Sequence, residues 1–83
     1  MYYSYILFSA TKDRYYVGMC RAIEERLRKH NTNHKGFTDG AGDWKLVYYE
    51  IFELKEKALA REKQIKSWKS RKMTAKLIMG NNE

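Results

Sequence analysis

Five side chains in this sequence could together hold a phosphate, a water and a metal ion: Tyr5, Tyr16, Arg26, His30 and Glu62. Phenols can exchange protons with water. A guanidinium offers phosphate oxygens a rigid fork of donors, and an imidazole can orient either group. A lone carboxylate offers oxygen to a hard cation. These groups lie in a chain of 83 residues in which 17 Lys and Arg face 10 Asp and Glu, a formal net charge of +7. Such an excess favours a polyanionic partner, because neutralised phosphates release their counterions. Read alone, each residue also has a plainer use. Hairpin tyrosines usually pack, a helical arginine pairs with a carboxylate such as Glu62, and Glu62 beside Arg61 and Lys63 can balance surface charge.

The elements that must position these groups follow from local pattern. Tyr2 to Phe8 and Tyr15 to Cys20 are rich in aromatic and β-branched residues and flank a polar turn, which predicts a hairpin. If Phe8 pairs with Asp13, Tyr5 faces Tyr16 and Tyr3 faces Gly18. Both phenols then lie on one side of the sheet, and Gly18 lets another group approach the backbone. Ala22 to Asn31 predicts a helix with Ile23 and Leu27 as its apolar stripe, Glu24, Glu25 and Arg28 outside it, and Arg26 and His30 together along one edge. Asn31 to Asp43 carries Gly36, Gly40 and Gly42 and predicts a long loop of the kind that binds. Lys45 to Phe52 predicts a third strand, apolar on both parities and so expected in the middle of the sheet. Leu54 to Lys69 predicts a helix with Leu54, Ala58, Ile65 and Trp68 in one stripe and Glu62 at its border. Ser70 is the expected N-cap of a last helix, Arg71 to Met79, ended by Gly80, with a frayed tail from Asn81 to Glu83.

The expected fold is therefore α+β, a three-stranded antiparallel sheet of hairpin plus third strand flanked by helices, in one domain over 1–83. Hydrophobic residues at 43%, with 14% aromatics, are enough for a core in a chain this short. One cysteine, Cys20, forms no internal disulfide and fits a reducing compartment; the Tyr2 to Phe8 run is too short to span a bilayer. A cytoplasmic location with no membrane partner is the expectation. Cys20, His30 and His34 lack the ligand number and spacing of a structural zinc site.

With these motifs in order, the chain resembles a GIY-YIG nuclease domain, closest to its small single-domain bacterial branch, over about residues 2–72. Tyr3-Ser4-Tyr5 stands where that family has Gly-Ile-Tyr, and Tyr16-Val17-Gly18 where it has Tyr-Ile-Gly. Arg26 matches the catalytic arginine, His30 the histidine one turn later, and Glu62 the metal-binding glutamate. Lys45-Leu46-Val47-Tyr48-Tyr49-Glu50 and Arg61-Glu62-Lys63-Gln64-Ile65-Lys66 resemble the small branch further. Tyr3 departs from the family's first glycine. The asparagine that many family nucleases carry near the domain's end has no secure counterpart, Asn81 and Asn82 being terminal.

The resemblance implies a metal-dependent endonuclease that hydrolyses phosphodiesters in DNA or RNA, DNA more than RNA, with little sequence selectivity. Glu62 would bind Mg²⁺ or Mn²⁺. Tyr5 or Tyr16, its pKa lowered by nearby positive charge, would help deprotonate water. Arg26 would hold the phosphoryl oxygens, and His30 would orient a tyrosine or the phosphate. Gly18, Lys29, His34, Lys35, Thr38, Lys66 and Lys69 are the candidate nucleic-acid contacts. Trp68 is expected to pack and Trp44 to make exposed contact. No small-molecule cofactor is implied, and a monomer or weak dimer is expected. A non-catalytic nucleic-acid-binding module of the same fold is the alternative, and a protein-interaction domain using its aromatic surface is a remoter one.

Overall fold

The computed structural model describes residues 1–32 and 42–80. Within them the chain forms β1 (Tyr2–Ser9), β2 (Arg14–Cys20), α1 (Ile23–Thr32), β3 (Lys45–Phe52), α2 (Lys55–Trp68) and α3 (Arg71–Gly80). The sheet is antiparallel throughout, in the order β2-β1-β3. This is the α+β class and the three-stranded sheet that the sequence predicts. The expected loop residues His34, Lys35 and Thr38, like the tail from Asn81 to Glu83, lie outside the described residues.

The hairpin register differs from expectation by two residues. Ser9 pairs with Arg14, Leu7 with Tyr16 and Tyr5 with Gly18. Asp13 takes a left-handed backbone (φ 53°) and so belongs to the turn. Ser9 stays in the strand, where its hydroxyl accepts the Lys12 N–H at 3.2 Å and donates to Asp43 Oδ1 at 2.6 Å. Because side chains alternate with period two, a slip of two leaves each on its expected face. Tyr5 and Tyr16 still share a side, now as diagonal neighbours, with Gly18 directly opposite Tyr5.

Burial splits by strand parity. Tyr5 and Leu7 join Cys20 and Trp44 on one face, covered by Ile23 and Leu27 of α1. Ile6 and Tyr48 join Ile65 of α2 on the other, with Trp68, Leu77 and Ile78 packed around them. The Ser4 hydroxyl donates to the Ala58 carbonyl at 2.6 Å, fixing α2 against the central strand. Strand β3 is an edge strand rather than the centre. Its apolar character on both parities has a local cause: a register shift between Ile6 and Leu7 sends Leu46 to one cluster and Val47 and Tyr48 to the other. Tyr49 and Ile51 are left exposed.

Leu54 leaves the expected stripe. It is 52% exposed, with extended backbone as the N-cap of α2, and its carbonyl accepts the N–H groups of Lys57 and Ala58. Trp68 packs half-buried, as expected, with the Arg61 guanidinium 5.8 Å from its ring centroid. Arg61 also binds Glu50, which accepts the Tyr48 hydroxyl, so a polar network clamps α2 to β3. Ser70 caps α3 by accepting the Met73 N–H at 3.2 Å.

Helix α1 contains no fully buried residue, so its attachment depends on few contacts. The Asn31 side chain supplies two of them. It donates to the Trp44 carbonyl at 3.0 Å and accepts the Trp44 N–H at 2.7 Å. Asn31→Ala is expected to lower stability by about 1–3 kcal/mol, because both Trp44 backbone groups lose their partner in a partly buried setting. A urea melt checks this; an unchanged midpoint would mean that α1 is held by its apolar contacts alone.

Candidate functional site

The Tyr5 side chain is 2% exposed and reaches across the edge strand at Gly18. A Cβ built at Gly18 would lie 2.6 Å from the Tyr5 hydroxyl oxygen, 2.7 Å from its Cζ and 3.1 Å from a Tyr16 ring carbon. The group that Gly18 admits is therefore the phenol itself, and Gly18, expected among the nucleic-acid contacts, lies buried beneath it. The Tyr5 hydroxyl is 3.3 Å from His30 Nε2. The Tyr16 ring sits 4.5 Å from the His30 ring and 6.3 Å from the Tyr5 ring, centroid to centroid. Two strands and one helix thus bring both phenols and the imidazole together.

Trp44 backs this cluster. Its ring lies 6.3 Å from Tyr16 and 6.4 Å from His30, and it is 2% exposed. The expectation of an exposed Trp44 is corrected: the Asn31 bonds draw its backbone inward beside α1, and its indole becomes a wall of the cluster. Sequence reasoning singled out neither Asn31 nor this role for Trp44. The local signal was a polar residue near the end of a helix and an aromatic just before the next strand. Arg26, one turn before His30, is exposed and lines a small recess with Cys20, Arg21, Glu25 and Lys29. Lys29 pairs loosely with Glu25 at 3.7 Å, so the recess carries a cationic excess.

Burial pushes the Tyr5 phenol well above the ordinary tyrosine pKa, and the Tyr16 phenol adds to the shift. The Arg26 guanidinium opposes it, while Cys20 and Glu62 push the same way as burial. For Tyr5 the expectation of a lowered pKa is therefore corrected: the positive charge is near, but loss of water outweighs it. Burial also depresses His30, and the Arg26 charge adds to this. A phenol that keeps its proton and a neutral imidazole suit a hydrogen bond with one proton between them.

The sign of the His30 shift makes a test. Its folded midpoint lies below the usual histidine value of about 6.5, so the unfolded chain binds the proton more readily. The resulting stability is present above about pH 6.5 and is lost as pH falls through the folded midpoint. An NMR titration should place the His30 ring midpoint below about 6.5, and Arg26→Gln should move it upward. A midpoint at or above the usual value would contradict the buried, Arg26-facing placement.

Glu62 lies on α2, which packs on the sheet face opposite α1, yet its charge acts on the same Tyr5 phenol as that of Arg26. The phenol lies over a glycine in the edge strand, so charges from both sides can act on it. The Glu62 side chain is 16% exposed, and Oε2 is 2.9 Å from Lys66 Nζ, four residues on. Lys69 follows Lys66 on the same side of the helix end. Among the described residues no group of three or more His, Cys, Asp or Glu side chains gathers. A cation held here would take one carboxylate from the protein and its remaining oxygens from phosphate and water. That fits a hard, heavily hydrated divalent ion.

Sequence and fold comparisons bear on the family and the fold. The GIY-YIG catalytic domain family model matches residues 1–76. A UPF0213 protein of Clostridium perfringens is 40% identical over 67 residues, covering 80% of this chain and 71% of its own length. One from Staphylococcus saprophyticus is 40% identical over 76 residues, covering 89% and 92%. The solution NMR structure of a UPF0213 protein from Bacillus halodurans superposes with a TM-score of 0.60 at 30% identity, over 95% of this chain and 84% of that one. Built around a Tyr5–Tyr16–His30 cluster that both Arg26 and Glu62 reach electrostatically, the chain belongs to the GIY-YIG family, in its small UPF0213 branch.

Proposed function

We propose that this protein is a metal-dependent phosphodiesterase acting on nucleic acid, on DNA in preference to RNA, with little sequence selectivity. The observation that carries the reading is the Tyr5–His30–Tyr16 cluster, with opposite charges from Arg26 and Glu62 bearing on one phenol. Water attacks phosphorus, the bond to the leaving oxygen breaks, and the proton lost by water passes by way of the Tyr16 hydroxyl to the neutral His30 imidazole beside it. Tyr16, half-buried where Tyr5 is closed off, is the phenol better placed to meet that water. Tyr5 and His30 hold each other and fix the wall behind it. Arg26, exposed on the recess shared with Lys29, binds the phosphoryl oxygens and offsets their developing charge. Glu62 would hold Mg²⁺ or Mn²⁺, which supplies Lewis-acid stabilisation of the leaving oxygen.

The proton-holding Tyr5 favours one other reading, a nucleic-acid-binding module without turnover. One panel separates the two: labelled single-stranded, duplex and branched DNA and RNA, incubated with Mg²⁺, with Mn²⁺ and with chelator. Cleavage that requires metal supports the enzyme. Salt-sensitive binding with no cleavage of any substrate supports the module.

A further inference from the structure

Away from the tyrosine cluster, a groove runs between the β1–β2 turn and the α2–α3 junction, lined by Asp13, Arg14, Tyr15, Lys66, Lys69 and Arg71 among others. Four cations face one carboxylate there. Arg71 is already engaged, donating to the Asp13 carboxylate at 2.6 Å and to its carbonyl at 2.9 Å, and lying 5.7 Å from the Tyr15 ring. These bonds staple the hairpin turn to the start of α3 and set the width of the groove. Arg14 and Lys69 make no ion pair among the described residues.

The backbone adds an independent sign. Asp13 (φ 53°) and Lys69 (φ 48°) are the described non-glycine residues with positive φ, and both line this groove. Lys69 occupies the left-handed position ending α2, a place where glycine is the residue of lowest strain. A lysine there costs backbone energy and places a cation over the groove, the pattern expected where strain serves binding.

Glu62 and Lys66 lie four residues apart on one side of α2 and pair at 2.9 Å, and Lys66 and Lys69 line the groove, so the groove continues from the candidate metal ligand. Seven residues of helix span about 10 Å. We propose that this groove is a second phosphate-backbone site, holding the nucleic-acid strand about 10 Å along α2 from the phosphate at Glu62. This rests on the phosphodiesterase reading for the identity of the strand. It adds which surface carries the substrate and how far from the scissile bond the strand must extend.

The test is binding in chelator, without cleavage, to a fluorescein-labelled DNA duplex of about two helical turns. Affinity is followed from about 50 to 200 mM salt. Each phosphate contact steepens the log–log salt slope by about 0.9, so each cation removed should reduce the affinity lost over that range by about 3.5-fold. Arg14→Gln and Lys69→Gly should each flatten the slope in this way, and Lys57→Gln, on the first turn of α2 outside the groove, should not. Lys69→Gly should also keep or raise the melting temperature, since it relieves the left-handed backbone. Weaker binding in a protein no less stable is a result that a purely structural lysine would not give. A wild type that binds with a steep slope, while Arg14→Gln and Lys69→Gly match Lys57→Gln, overturns the groove and leaves the phosphodiesterase reading intact. A wild type that binds neither this duplex nor single-stranded DNA nor RNA overturns both.

Discussion

Glu62→Gln is expected to lower metal-dependent cleavage by about 10³-fold while the fold stays intact. Glutamine keeps the shape and one oxygen but removes the charge that makes a carboxylate a ligand for a hard cation. Lewis-acid stabilisation by a bound metal contributes several kcal/mol to a transition state, and about 4 kcal/mol corresponds to a factor of about 10³. The structural loss is small. Glu62 pairs with Lys66, which is 52% exposed, and an i,i+4 pair of this kind contributes about 0.3–0.5 kcal/mol. Single-turnover cleavage at several Mg²⁺ concentrations, beside a thermal melt, reads both quantities. A variant that unfolds with the wild type and cleaves within about 10-fold of it would remove Glu62 from the metal site. Arg26→Ala should cost about 10²–10³-fold by another route if, as proposed, its guanidinium acts on phosphoryl oxygens and not through the cation.

How much of this was legible in the sequence can be judged residue by residue. Strand and helix positions came within one residue, because alternating aromatics and 3.6-residue spacing are local signals. The side of the sheet bearing Tyr5 and Tyr16 was legible for the same reason, and it survived a register slip because the slip was even. The slip itself turned on Asp13 adopting φ 53° and on the Ser9 hydroxyl bonding Asp43, thirty-four residues away. No single sequence displays such a bond. The edge position of β3 was hidden because its bulge and the helices on both sheet faces make an edge strand look central. Trp44 was misjudged because its burial depends on Asn31, across a segment rich in glycine and polar residues. The tyrosine cluster was legible as a set of residue types. Its electrostatic character was not, since the raised Tyr5 pKa follows from burial, which only packing determines.

Gly18→Ala is the substitution expected to damage both fold and site with the fewest atoms added. Overpacking usually costs about 1–3 kcal/mol, and here the new methyl would sit 2.6 Å from the Tyr5 hydroxyl oxygen and 2.7 Å from Cζ. The far end of a tyrosine often swings aside cheaply, but this one has little room. Tyr5 is 2% exposed, bonded to His30 and flanked by the Tyr16 ring, itself 3.1 Å from the same methyl. The strand cannot yield easily either, because Gly18 pairs with Tyr5 in the middle of the β1–β2 ladder. Relief therefore comes from moving Tyr5 off His30, which opens the imidazole to water and removes part of the burial that depresses its pKa. The variant should melt lower by about 1–3 kcal/mol in equilibrium unfolding, and its His30 midpoint should rise toward the usual value. Cleavage should fall by at least about 10²-fold, as expected when reacting groups are displaced by about 1 Å. The three readouts change together only if Tyr5, His30 and Gly18 form one packed unit. A variant that loses stability but keeps the wild-type His30 midpoint and cleavage rate would show that the glycine serves the strand alone.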